Sequence, residues 1–179
     1  MQKIAVGREA RDVINLEAPV KENIVKVAKA LGKDIGEVTV SMLDRPRHEA
    51  LIQEVRETGA RIRLVTDGDV AIGVATCLKE NPIDMLLGSG GSTEGVLTAV
   101  AVKILGGQIF AKFAPRNDED RKALAERSIK ETDIFSADDL ARGNDPTFTA
   151  TGVIDGPLLP GVVFESESII THSLMTRVS

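Results

Sequence analysis

Three short polar stretches of this chain have residue types that bind anions, and each follows a run of strand-forming residues. The stretches are Arg45-Pro46-Arg47, Asp67-Gly68-Asp69 and the glycine-rich segment 88–95. A glycine-rich turn that leads into a helix presents backbone N–H groups to an anion. Segment 88–95 alone is equally compatible with a plain tight turn, in which Ser92 caps the helix and Glu94 lies in its first turn.

Arg45 and Arg47 flank Pro46, a residue that suits the first turn of a helix. The helix dipole repels cations at that end, so the two guanidinium groups favour an anion between them. A phosphate would satisfy both, because its oxygens match the arginine fork. The alternative is that both side chains extend into solvent or pair with nearby acids. We favour a phosphate because the glycine-rich turn is expected alongside.

Asp67 and Asp69 stand on either side of Gly68, and three roles compete for their carboxylates. They could cap the following helix, hold a divalent cation, or accept hydrogen bonds from sugar hydroxyls. We expect one of them to be the helix cap, which leaves the other for a ligand. Glu94 could approach a metal ion beside a phosphate, although one carboxylate is too few to make a metal site.

Sequence patterns of zinc and nucleotide sites are not found in this chain. His48 and His172 lie far apart, with no cysteine or paired histidine at ligand spacing, so both are interpreted as surface or packing residues. Segment 88–95 lacks the lysine of a P-loop and has Thr93 where a dinucleotide fingerprint needs glycine or alanine. The sequence therefore favours a small phosphorylated ligand over a nucleotide.

Composition limits the partners and the location that we expect. The 27 acidic and 22 basic residues give a net charge of -5, and the basic residues are spread along the chain, which argues against a nucleic-acid partner. The single cysteine, Cys77, lies in an apolar helical pattern and is predicted to be a buried structural thiol. No apolar segment is long enough to span a membrane and no signal peptide is found, so a cytoplasmic location is expected.

The elements that would position the three polar stretches alternate between strand and helix. Strands are predicted at 3–7, 38–43, 61–65, 82–87 and 108–113, and helices at 19–31, 50–58, 70–78, 96–105 and 118–130. This alternation indicates right-handed crossovers in a parallel sheet, which bring the three stretches to neighbouring strand ends. Segments 147–153 and 168–176 predict a terminal antiparallel pair. We predict a single α/β domain over residues 1–179, with a mixed, largely parallel central sheet flanked by helices.

Several of these runs, in the same order, resemble the carboxyl-terminal half of class II fructose-1,6-bisphosphatases. They are Arg45-Pro46-Arg47-His48, Asp67-Gly68-Asp69-Val70-Ala71, the glycine-rich segment 88–96, and the segments 29–33 and 148–152. The resemblance covers nearly the whole chain and implies a layered sugar-phosphatase-like fold. It also implies hydrolysis of the 1-phosphate of fructose-1,6-bisphosphate, a step of gluconeogenesis, with Mn²⁺ or Mg²⁺ as cofactor. Relatives in some photosynthetic bacteria also hydrolyse sedoheptulose-1,7-bisphosphate.

Position by position, the resemblance implies that seven residues bind the sugar bisphosphate substrate and that Glu94 is a metal ligand. The seven are Arg45, Pro46, Arg47, Asp67, Gly68, Asp69 and Gly91. The family's amino-terminal half carries most of the metal-binding acids in an Asp-Pro-Ile-Glu-Gly-Thr motif, which this chain does not contain.

We therefore expect the chain to need the missing amino-terminal half or a partner chain and to be inactive alone. We also expect it to form a homo-oligomer through apolar surface left exposed. The alternative is a non-catalytic module that binds sugar phosphates or has a regulatory role.

Overall fold

The computed structural model describes residues 1–178, and its elements follow the predicted alternation. The strands are β1 Gln2–Val6, β2 Thr39–Leu43, β3 Arg61–Val65, β4 Met85–Ser89, β5 Gln108–Lys112, β6 Ile134–Ser136, β7 Thr147–Thr151, β8 Val163–Phe164, β9 Ile169–Ile170 and β10 Ser173–Arg177. The helices are α1 Val20–Leu31, α2 Glu49–Thr58, α3 Asp69–Ala75, α4 Ser92–Leu105, α5 Asp118–Glu126 and α6 Ala137–Leu140.

Six strands form the central sheet in the order β3-β2-β4-β1-β5-β6. Strand β2 is parallel to both β3 and β4, whereas β1 is antiparallel to its neighbours β4 and β5, and β6 is antiparallel to β5. Strands β2, β3, β4 and β5 therefore point the same way, and β1 and β6 point the opposite way. The prediction of a mixed, largely parallel sheet flanked by helices is confirmed.

Helices cover both faces of this sheet because its strands carry apolar residues on both sides. Helices α1 and α2 lie on one face, where Ile24 belongs to the same buried cluster as Ile4. Helices α3, α4 and α6 lie on the other face, where Ile72 belongs to a cluster with Ala5. The adjacent residues Ile4 and Ala5 serve opposite faces, as the alternation of side chains along a strand requires.

A fourth layer lies outside α3 and α4. Strands β7 and β10 pair in antiparallel fashion, which confirms the predicted terminal pair. Phe148 of β7 packs with Val74 of α3 and Ala101 of α4 in a third buried cluster. The protein is therefore stacked as helices, sheet, helices and a small two-stranded sheet.

Several predicted boundaries differ from the structure. Helix α3 ends at Ala75 rather than at residue 78, α5 ends at Glu126 rather than at 130, and segment 168–176 divides into β9 and β10.

Cys77 therefore lies beyond α3, where it is partly buried. Burial raises the pKa of its thiol to about 11, so the thiol stays protonated and unreactive, in agreement with a structural role. Within residues 1–178, no helix combines the length and the apolar character needed to cross a membrane.

The close packing of α3 on α4 depends on Gly73. A Cβ atom at this position would meet the Cγ2 methyl of Thr98, which is fully buried. The hydroxyl of Thr98 points the other way and donates to the Glu94 carbonyl at 2.7 Å. The two helices can therefore approach this closely because Gly73 of α3 has no side chain where the Thr98 methyl group of α4 packs.

We predict that Gly73→Ala destabilises the fold, because overpacking a core costs about 1–3 kcal/mol and the gain in helix propensity offsets at most about 1 kcal/mol of this. Thr98→Ser removes the clashing methyl and keeps the hydroxyl, so the double variant G73A/T98S should be more stable than G73A. Urea unfolding of the four proteins measures the difference. Equal losses in G73A and G73A/T98S would contradict this account of the contact.

Candidate functional site

The carboxyl ends of β2, β3 and β4 lie side by side, because these strands are consecutive in the sheet and parallel. The three polar stretches that follow them meet at this edge, as the sequence predicted. Strand β1 runs the opposite way, so its start reaches the same edge, with Lys3 opposite Gly88. We call the residues gathered here, Lys3, Arg45, Pro46, Arg47, His48, Asp67, Gly68, Asp69 and 88–94, the carboxyl edge.

Arg45 and Asp67 are brought together across the ends of β2 and β3. The Arg45 Nη2 atom donates to Asp67 Oδ1 at 2.8 Å, and Arg45 Nη1 donates to the Asp44 carbonyl at 2.9 Å. The Asp67 side chain is 84% exposed. Such an exposed pair contributes at most about 1 kcal/mol, so a ligand could replace either partner at small cost.

Arg47 reaches from the end of β2 to the end of β4. Its Nε atom donates to Ser89 Oγ at 3.1 Å, and its Nη2 atom donates to the Ser89 carbonyl at 2.8 Å. Pro46 opens the 3₁₀ turn Pro46–His48 that leads into α2, which agrees with the position predicted for it. Each arginine therefore has a protein partner at the carboxyl edge.

His48 lies beneath this edge and is 3% exposed. The Ser89 N–H donates to His48 Nε2 at 2.8 Å, so Nε2 carries no proton and the neutral ring is protonated on Nδ1. The Nδ1–H group donates to the Leu43 carbonyl at 2.7 Å. The packing role that the sequence indicated is correct, but these contacts with a site residue were not predicted. In the sequence, the one feature that could have indicated these contacts was the position of His48 directly after Arg47.

Asp69 is held by a partner that the sequence did not indicate. Lys3 Nζ donates to Asp69 Oδ2 at 2.5 Å, and the two side chains are only 3% and 10% exposed. Helix α3 has Gly68 as its N-cap residue, with φ of 88°, and no side chain caps it. The expectation that Asp67 or Asp69 caps this helix is therefore wrong, because Asp69 is already inside the helix and turned toward Lys3.

The glycine-rich turn has two different glycines at its centre. A Cβ atom on Gly90 would meet Asp69 Oδ2 and would lie 3.2 Å from Lys3 Nζ, so no side chain fits there. Gly91 is exposed, and it is the N-cap residue of α4 without any side-chain cap. Ser92, which the plain-turn interpretation placed at the cap, is already the first helical residue. The exposed Glu94 lies in the first turn, with its carboxylate against Gly91.

The carboxyl edge is closed underneath. Lys3, Leu43, His48, Asp69 and Ser89 are among the residues that line a cavity of only about 10 Å³. A cavity of this size holds at most a single water molecule. A ligand would therefore lie on top of the edge, among Arg45, Arg47, Asp67 and the start of α4.

The acidic residues of the carboxyl edge do not make a metal site by themselves. Among residues 1–178, no three His, Cys, Asp or Glu side chains are grouped to hold a metal ion. Asp69 is bound to Lys3 and Asp67 is paired with Arg45, which leaves the exposed Glu94. Mg²⁺ takes six oxygen ligands and is usually held by one or two carboxylates together with waters and substrate phosphates. Glu94 could supply one such carboxylate, but the described residues contain no group of ligating side chains that would hold Mn²⁺ or Mg²⁺ by itself.

An α/β sheet with cationic side chains and an uncapped helix start at its carboxyl edge has the architecture of proteins that bind phosphorylated ligands. Comparison with known proteins agrees with this class. A family model described as bacterial fructose-1,6-bisphosphatase, glpX-encoded, matches residues 1–179.

Curated relatives give the same result. The chain is 35% identical over 190 residues to fructose-1,6-bisphosphatase class 2 of Haemophilus influenzae, covering 99% of this chain and 57% of that protein. It is 34% identical over 190 residues to fructose-1,6-bisphosphatase 1 class 2 of Escherichia coli K12, covering 99% of this chain and 56% of that protein. The chain belongs to the bacterial fructose-1,6-bisphosphatase family, and it spans little more than half the length of these relatives.

We predict that Lys3→Met destabilises the protein by about 3–5 kcal/mol, because it leaves the Asp69 carboxylate buried without a partner. The double variant K3M/D69L replaces both charges with apolar groups, and leucine has the branched shape of aspartate. Its stability should return to within about 1 kcal/mol of the original protein. Urea unfolding tests both variants. A loss below 1 kcal/mol in K3M would show that Asp69 is not left as an unpaired buried charge.

Proposed function

We propose that this chain forms the substrate-holding part of a fructose-1,6-bisphosphatase, which hydrolyses the 1-phosphate of fructose-1,6-bisphosphate in gluconeogenesis. One observation carries the proposal: the ends of three parallel strands bring Arg45, Arg47 and the start of α4 to one edge. The names of the curated relatives support the substrate, since each is a fructose-1,6-bisphosphatase.

The proposed roles follow from the donors and acceptors at the carboxyl edge. Arg45 and Arg47 would donate to phosphate oxygens, and the exposed Gly91 would let a phosphate approach the uncapped N–H groups of α4. Asp67 has an exposed carboxylate that could accept hydrogen bonds from sugar hydroxyls. Pro46 would shape the loop after β2, and Gly68 would shape the loop after β3. The Asp69 carboxylate is bound to Lys3, so Asp69 would not contact the ligand directly. It would instead support the glycine-rich turn by packing against Gly90.

The proposed requirement for Mn²⁺ or Mg²⁺ involves this chain only through Glu94. The exposed carboxylate lies beside the start of α4, where a bound phosphate is expected. The remaining ligands would come from the part of the family's proteins that this chain does not span, whether as an amino-terminal half or as a partner chain.

A non-catalytic sugar-phosphate-binding or regulatory module is the second candidate. The observation that favours it is that, within residues 1–178, no group of acids is placed to hold a metal. The two candidates agree on the phosphate-binding edge and differ in whether added acidic ligands restore hydrolysis.

We predict that the purified chain alone does not release phosphate from fructose-1,6-bisphosphate with Mn²⁺ or Mg²⁺, because Glu94 cannot hold the metal alone. A mixture with the part of the Escherichia coli relative that this chain does not match should release phosphate. The variant Glu94→Gln should lower the rate of that mixture by about 100-fold or more, since it removes one charged group from the reacting centre. A colorimetric phosphate assay measures all three samples.

Two results of this assay would change the interpretation. Phosphate release by the rigorously purified chain alone would contradict the need for a partner. An inactive mixture, together with metal-independent binding of fructose-1,6-bisphosphate in calorimetry, would favour the binding module.

We also propose that the chain associates with a second copy through β8 and β9. These strands pair Phe164 with Ile169 and Val163 with Ile170, and the four side chains are exposed by 76%, 64%, 44% and 40%. Opposite residues of an antiparallel pair share a face, so both faces of this ribbon are apolar. Such exposed apolar surface favours association.

Light scattering coupled to size exclusion should therefore show a mass that rises with protein concentration. Phe164→Ser should shift the protein toward the monomer, whereas Val25→Ser, at an exposed apolar residue of α1, should not. A monomer at every concentration would contradict self-association.

A further inference from the structure

Arg47 is held along one edge of its guanidinium group. The Nε–H and one Nη2–H donate to the hydroxyl and the carbonyl of the same residue, Ser89. A guanidinium group has five N–H donors, so the two on Nη1 and the second on Nη2 remain. These three form the other edge of the fork, which has the spacing for two phosphate oxygens. Among residues 1–178, the contacts with Ser89 therefore occupy one edge and leave the phosphate-matching edge free.

Ser89 is itself fixed by His48. The Ser89 N–H donates to His48 Nε2 at 2.8 Å, and Ser89 Oγ lies 3.0 Å from the same nitrogen. The backbone N–H and the hydroxyl of Ser89 therefore both lie within hydrogen-bond distance of one ring nitrogen, whose single lone pair they share. The hydroxyl that accepts from Arg47 Nε cannot rotate away without losing its contact with the ring.

The His48 ring is held on its other side. Its Nδ1–H donates to the Leu43 carbonyl at the end of β2. Gly88, with φ of 141°, lies against the ring, and a Cβ atom there would stand 3.1 Å from His48 Cε1. Arg47 and His48 are adjacent in sequence and both bind Ser89, so the end of β2 and the end of β4 are joined by a closed set of hydrogen bonds.

This arrangement addresses the main cost of using arginine for binding. A free arginine side chain loses about 2 kcal/mol of rotamer entropy when it is immobilised. Arg47 is exposed, yet two donors already fix its plane before any ligand arrives. Pre-organisation of this kind raises affinity without adding a contact to the ligand.

We infer that His48 and Ser89 are positioning residues that hold Arg47 with its Nη1 and Nη2 edge toward the phosphate of the substrate. The inference rests on the proposed function, because it assumes that Arg47 binds the sugar bisphosphate. Neither residue touches the ligand. They act by keeping the guanidinium group ready for it.

The test compares two matched pairs of variants. Ser89→Ala removes the hydroxyl, and Ser89→Thr keeps it. His48→Asn keeps a donor near Nδ1 but loses the acceptor for the Ser89 N–H, whereas His48→Gln places an oxygen near Nε2 and keeps that acceptor. Arg47→Ala serves as the reference for complete loss of the arginine. Melting temperatures establish that each variant is folded, and Ser89→Ala, at a partly exposed site, is the variant least disruptive to the core.

The first measurement is the NMR signal of the Arg47 Nε–H in the chain without ligand. A hydrogen-bonded Nε–H exchanges slowly with water and gives a sharp cross-peak. We expect the peak in the original protein, S89T and H48Q, and its broadening or loss in S89A and H48N.

The second measurement is calorimetric binding of fructose-1,6-bisphosphate and of inorganic phosphate to the whole chain. S89A and H48N should bind about tenfold more weakly, the effect of one lost hydrogen bond, and S89T and H48Q should stay within about threefold of the original protein.

The outcomes separate this inference from the proposed function. If R47A loses binding while S89A and H48N bind normally and keep the Arg47 peak, the positioning role is wrong and the proposed function stands. Equal losses in all four His48 and Ser89 variants would indicate general disruption and would also overturn the positioning role. If the original chain binds neither fructose-1,6-bisphosphate nor phosphate, both the inference and the proposed function fail.

Discussion

The buried ion pair between Lys3 and Asp69 joins three parts of the carboxyl edge. Lys3 comes from the start of β1, Asp69 from the first turn of α3, and the pair packs against Gly90 in the turn after β4. Breaking a buried pair by removing one partner costs several kcal/mol, so these parts keep one relative position. The antiparallel insertion of β1 between β4 and β5 is what brings the lysine there.

The buried pair of Lys3 and Asp69 also makes the surroundings of Gly90 different from those of Gly91. Gly90 is required by packing, because Asp69 and Lys3 fill the space that a side chain would need. Gly91 is exposed at the start of α4, where the Glu94 carboxylate lies against it. Beneath the surface of the edge, the side chains of Lys3 and Asp69 are almost fully buried. At the surface, the exposed contact between Arg45 and Asp67 contributes little energy and can rearrange.

Much of the fold could be predicted from the sequence, because alternating strands and helices with apolar periods of two and 3.6 residues are local signals. The convergence of the three polar stretches followed from the parallel direction of the strands that precede them, because parallel strands end at the same edge of a sheet. The partner of Asp69 could not be predicted, since Lys3 is 66 residues away on an antiparallel strand. The contacts of His48 were missed because a histidine beside a helix start has no distinctive pattern. Strand β6 has three residues, too few for a periodicity.

The separation of charges at the carboxyl edge has a physical reason under the proposed function. A phosphate site needs arginines with free donors, and a divalent metal site needs carboxylates that are not already paired with cations. If one loop cluster carried both sets, they would pair with each other, as Arg45 and Asp67 already do. Asp69 is instead bound to Lys3 beneath the edge. Under the proposed function, an edge rich in arginine and backbone donors is therefore best completed by acids on a different element, and the exposed Glu94 beside the start of α4 is the proposed contact between the two sets.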